Sequence, residues 1–298
     1  MIDFNDLIQH TWKITWKHKI LWGAGFLMML AVFLFLPLMF APLLLLIDPD
    51  GMARGIDVIW PWILMSVGFL ALIVVGYGVN SLMRPVMVLG ALKAERGAEK
   101  LSLNELLREG TLFFWRFLGL VLLFALAITV VNLGLAGIQI LASILTLGLA
   151  NLCLWPLSFL IYPLLYAVMT VMEVAEAAMV VDGLSVINAL RRTWRIILAN
   201  KMSVFIVALL VYIVPGMVSS FIFIPFFLPI SFLPILISED ILPRSFLWVF
   251  GLGYLVILPV MAFVQGIVLV LTKTGWTLTY LRLSAAPSNM PSFSEENA

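Results

Sequence analysis

The chain has 298 residues, 63% of them hydrophobic and 11% charged, with a mean hydropathy of +1.15. So few charges cannot hold that much apolar surface in water, which excludes a water-soluble domain and makes a bilayer the solvent. A formal charge of +1 offers no basic field for nucleic acid, and the single Cys153 can form neither an internal disulfide nor, alone, a zinc site.

Taken in chain order, the sequence opens on an amphipathic helix over 3–19, with Asp3 as its N-cap. Charge-free runs follow at 20–47, 58–83, 117–172, 202–238 and 245–272. A crossing takes about 20 apolar residues, so the third run holds two spans. Gly148 and Asn151 mark a turn between them at 146–151. The fourth run is too short for two spans and a link; its helix is expected to end near Pro225, ahead of Pro229 and Pro234, with the remainder along the outer interface. The count is six spans. The basic start is not a signal peptide, because the first run is too long and lacks a small-residue cleavage site. The Ser-, Pro- and Glu-rich stretch 285–298 reads as a disordered cytoplasmic tail.

Threading six crossings alternately puts every Lys and Arg except Arg54 and Arg244 on one side, which the positive-inside rule makes cytoplasmic. Both termini then face the cytoplasm, and Asp48, Asp50, Asp57, Glu239 and Asp240 lie outside. Trp12, Trp16, Trp22, Trp115, Trp194 and Trp276 mark the inner boundary, and Trp60, Trp62, Trp155 and Trp248 the outer one.

The chain also repeats itself. Residues 3–19 align without gaps to 185–201, so that Thr11-Trp12-Lys13-Ile14 meets Thr193-Trp194-Arg195-Ile196, and Asp3 meets Ser185. A weaker copy starts at Ser102, where Ser102 and Glu105 form a capping box. The expected architecture is an all-α, polytopic membrane protein. Its single transmembrane domain, 1–284, comprises three repeats, 3–101, 102–184 and 185–284, each an interfacial amphipathic helix plus a helical hairpin. In the last copy Val186, Leu190, Thr193, Trp194 and Ile197 share a face, while Arg191, Arg192 and Arg195 occupy another. These arginines, with Lys13, Lys17 and Lys19, are candidate contacts for anionic lipid headgroups, although anchoring of helix depth alone would also account for them.

The segment Thr11-Trp12-Lys13-Ile14-Thr15-Trp16-Lys17-His18-Lys19-Ile20-Leu21-Trp22, together with Val181-Asp182-Gly183-Leu184-Ser185 leading into Ala189-Leu190-Arg191-Arg192-Thr193-Trp194, resembles a broad group of uncharacterised bacterial six-span membrane proteins. That group is similar to the membrane domain attached to some glycerophosphodiester phosphodiesterases. The resemblance implies a bacterial inner-membrane location. No soluble catalytic domain follows the last span, so phosphodiesterase activity is not carried over.

No residues assemble into a recognisable catalytic, metal or cofactor site. His10 and His18 sit among lysines without ligand partners at suitable spacing, and Gly76-Tyr77-Gly78 lacks the rest of a phosphate-binding pattern. Charges near the inner ends of the returning helices are more informative. Superposing the hairpins on Tyr77 and Tyr166 sets Arg84 opposite Glu173, and Lys273 falls seven residues after Gly266. Two readings stand: a partly buried network of Arg84, Glu173, Glu176 and Lys273, serving as a latch or part of an ion path, or helices that have already emerged into water. Asn80, Asn132 and Gln139 are candidates for a polar path, or for interhelical hydrogen bonding. The functional expectation is a non-enzymatic membrane component engaging anionic lipids or a partner protein. A carrier for a small or amphiphilic solute is the alternative, and it requires a cavity at midplane lined by Asn132, Gln139 or Asn80.

Overall fold

The computed structural model describes residues 3–46, 59–146, 148–238 and 246–285. Among them are nine helices and no strand: α1 (Phe4–Lys17), α2 (Ile20–Leu46), α3 (Ile59–Glu95), α4 (Leu103–Thr111), α5 (Phe114–Leu145), α6 (Ala150–Val181), α7 (Val186–Ala199), α8 (Lys201–Ser238) and α9 (Phe246–Ala285). Five segments are long and apolar enough to cross a bilayer, Ser66–Glu95, Phe114–Leu145, Pro163–Val181, Lys201–Phe221 and Leu255–Ala285; Ile20–Phe33 is a shorter apolar helix. With this composition the chain is a helical, multi-pass membrane protein.

Local chemistry explains two of the helix starts. The Asp3 carboxylate accepts from the N–H groups of Asn5 and Asp6, capping α1. Gly148 takes φ +90°, a left-handed conformation open to glycine at little cost, and α6 begins two residues later. Two expectations need correction. The Ser102–Glu105 capping box does not form, because Glu105 turns to Lys93, 2.7 Å away, and the Ser102 side chain makes no cap bond. The helix expected to stop near Pro225 runs on to Ser238; in hydrocarbon no water competes for the carbonyls that proline frees, so a helix passes through it more readily than in water. Residues 48, 50, 54, 57, 239, 240 and 244, which carry the expected outer charges, and the tail after Ala285 lie outside the described residues, as do the side chains of Trp60, Trp155 and Trp248.

The buried core gathers at one end of the bundle. Stretches 85–92, 172–180 and 273–280 are buried at every residue, where α3, α6 and α9 touch one another. Each short helix lies on one of these three: α4 on α3, α7 on α6, and α1 on α9. Ion pairs tie each contact, Lys93 to Glu105 and Glu109, Arg192 to Asp182, and Arg282 to Asp6. At the α2–α9 crossing the backbones themselves meet. A Cβ on Gly266 would stand 2.6 Å from the Phe26 nitrogen, so only glycine permits this approach.

Candidate functional site

The four charges from α3, α6 and α9 meet inside the packed end. Glu176, fully buried, is the hub: one carboxylate oxygen accepts from Arg84 and the other from the Lys273 ammonium. Glu173 is held less tightly. Its Oε2 is 2.7 Å from Lys273 Nζ but outside hydrogen-bond geometry, and its Oε1 is 3.9 Å from Arg84. Two cations and two anions cancel, which lets the cluster exist away from water; any one of them alone would cost several kcal/mol there.

Neighbouring groups aim the cluster. Asn80 donates to the Gly76 carbonyl and accepts from Arg84 Nε at 3.4 Å, fixing the guanidinium along α3. Met172 Sδ receives a further Arg84 N–H at 3.8 Å. Pro85 sits inside α3 directly after Arg84, removing one ladder N–H beside the charge. The Tyr212 ring of α8 packs between Tyr166 and Trp276, with centroids 5.4 and 5.9 Å away. Its buried hydroxyl lies beside Thr170 and Trp276 without a hydrogen bond of good geometry to either. An open groove of about 350 Å³ leads away from this point, lined by Tyr166, Tyr212, Gly216, Met217, Ser220 and Phe221, among others, on α6 and α8.

The remaining sequence candidates scatter. Asn132 and Gln139 are exposed on α5, and neither lines the groove; Asn132 returns its amide to the Ile128 carbonyl. They share no site with Asn80. Lys13, Lys17, Lys19, Arg191 and Arg195 are exposed, while Arg192 is half-buried with Nε 4.0 Å from Asp182. Of the face expected on α7, Val186, Leu190, Thr193 and Ile197 pack on the core, joined by the buried Ala189 and Ile196, and only Trp194 departs, being exposed. Trp12, Trp16 and Trp115 are exposed as well, but Trp276 is a core residue and not a boundary marker. Its neighbours on α9 are enclosed by other helices, so the indole has no route to a headgroup. His10 pairs with Asp6 at 2.9 Å. His18 is buried at the end of α1, where burial, reinforced by Lys17, holds its imidazole below the ordinary 6.5.

Sequence reasoning misplaced Trp276 at the boundary and missed Tyr212 and the Gly25–Gly266 crossing. Only Gly266 carried a signal, as the counterpart of Tyr77 and Tyr166. No family model, curated protein or solved structure matches the chain.

Proposed function

We propose that this is a six-span protein of a bacterial inner membrane, with both termini cytoplasmic and three helix-plus-hairpin units, whose basic inner face binds anionic lipid headgroups without catalysis. One observation carries the reading. On α1 and α7 the buried faces dock on long helices, while Lys13, Lys17, Arg191 and Arg195 stand exposed beside exposed Trp12, Trp16 and Trp194. Indoles at headgroup depth with cations above them suit an anionic surface, each base contributing on the order of 1 kcal/mol.

The test is native-lipid extraction followed by mass spectrometry of retained lipids. Replacing Lys13, Lys17, Arg191 and Arg195 with Gln should strip anionic lipid from the preparation while the fold persists. An unchanged lipid complement would defeat the reading, and a stoichiometric protein in its place would identify a partner protein as the ligand. The groove on α6 and α8 supports a carrier as the second reading, through residues other than Asn80, Asn132 and Gln139, none of which lines it. Uptake of an amphiphilic solute into vesicles, abolished by Gly216→Trp, would favour it.

A further inference from the structure

Two polar atoms, the Tyr212 hydroxyl on α8 and Trp276 Nε1 on α9, are buried without a hydrogen bond of good geometry among the described residues, and Glu173 Oε2 on α6 has only the Lys273 ammonium, 2.7 Å away and off-angle. Buried polar atoms are rarely left so, and each case calls for a reason. The imbalance between the two carboxylates supplies one. Glu176 takes directed hydrogen bonds from both cations, whereas Glu173 has one off-angle ammonium and a guanidinium 3.9 Å away. The two sit one helical turn apart and repel each other, so a proton arriving at the site goes to the less supported one.

Access is also built. α8 touches α6 only sparsely, in contrast to α2, which presses its backbone on α9. The resulting seam is the groove, and Tyr212 on its lining has its hydroxyl beside Thr170, three residues before Glu173 on α6. A phenol both donates and accepts, so its hydroxyl can take a proton on one side and release one on the other.

We propose that Glu173 is a proton-binding site and that the Tyr212 hydroxyl relays the proton between its carboxylate and the groove. The groups facing Glu173 are Arg84 from α3, Glu176 on its own helix, Lys273 from α9 and Tyr212 from α8. On binding, a Glu173 carboxylate oxygen forms one O–H bond with the proton that Tyr212 releases, the Tyr212 oxygen takes one from a hydronium ion that becomes water, no electron moves, and the four-charge cluster passes from zero to one net positive charge. Lys273 stays with Glu176, so the α6–α9 tie loosens without breaking. This site does not depend on lipid binding by the basic face.

The test is pH-difference infrared spectroscopy of the full chain in lipid nanodiscs, from about pH 4 to about pH 9, wide enough to cross the titration of a buried carboxyl. A carboxylic-acid carbonyl band characteristic of a site shielded from bulk water should appear on acidification, vanish in Glu173→Gln and move to more acid pH in Glu176→Gln, which leaves both cations to Glu173. Its absence from the unsubstituted protein, or its survival in Glu173→Gln, overturns the proposal; the first outcome needs no variant, so a misfolded substitution cannot mask it. Tyr212→Phe should retain the band and slow its hydrogen–deuterium exchange about tenfold or more. Unchanged exchange would remove Tyr212 from the route.

Discussion

The packed ends of α3, α6 and α9 and the stretch 122–145 of α5 are both helical and largely apolar, yet their surroundings are opposite. Residues 85–92, 172–180 and 273–280 are enclosed on all sides, whereas Leu126, Val130, Leu133 and Ile140 are each at least 60% exposed. The enclosed segments are the less apolar ones: they hold Glu173, Glu176, Lys273, Thr274, Thr277 and Thr279 together with Gly90, Ala91, Ala175, Ala177, Ala178 and Gly275. In hydrocarbon a leucine gains nothing by leaving lipid for protein. Helices are drawn together by close backbone approach and by polar groups that have no other partner. Burial in this protein therefore follows small and charged residues rather than hydropathy.

The sharpest way to break that contrast is Glu176→Leu. It leaves Arg84 and Lys273 with only Glu173, one negative charge against two buried positive ones, and should cost about 3–5 kcal/mol, read as loss of the folded fraction in a detergent-denaturation series. Glu173→Leu should cost less, since Glu176 still holds both cations. Next comes a matched pair on one helix. Leu120→Ala, at a fully buried position, should cost about 2–5 kcal/mol, while Leu126→Ala, 64% exposed, should leave the same denaturation curve unmoved. Equal effects would show that the exposed half of α5 is packed in the membrane. Gly266→Ala forces α2 from α9 and should destabilise by about 1–3 kcal/mol, whereas Gly134→Ala on α5, where a Cβ meets nothing, should be neutral or mildly stabilising. The smallest effect is titration of His18. Its folded-state pKa lies below the unfolded value, so the unfolded chain binds the proton more readily and stability falls as pH drops below about 6.5. His18→Gln should flatten that slope between neutral and mildly acid pH.

Where a single residue or a run of like residues decides the outcome, the sequence is readable. Charge-free length marks the long helices, Gly148 marks the turn before α6, and Asp3 caps α1. The matching of Arg84 with Glu173 after their tyrosines, and of Lys273 after Gly266, places these charges at corresponding heights; that they share one site depends on α3, α6 and α9 meeting. Trp194 and Trp276 show where such reading fails. Both are tryptophans that the alternating threading sets at the inner boundary, but α7 lies on α6 with Ala189 buried and Trp194 turned outward, while Trp276 is buried in the core. Likewise Asn132 and Gln139 share a face, but both stand exposed among the described residues.

The amino-acid order alone thus determines the solvent and the long apolar segments, because both rest on sums over many residues that no packing arrangement can reverse. The three-dimensional arrangement decides which of those segments touch, which face of each is covered, and that Glu176 receives two cations while Glu173 shares one. Those outcomes hang on a few close approaches, at Gly25 and Gly266 above all, and a contact between residues far apart in the chain has no local signature.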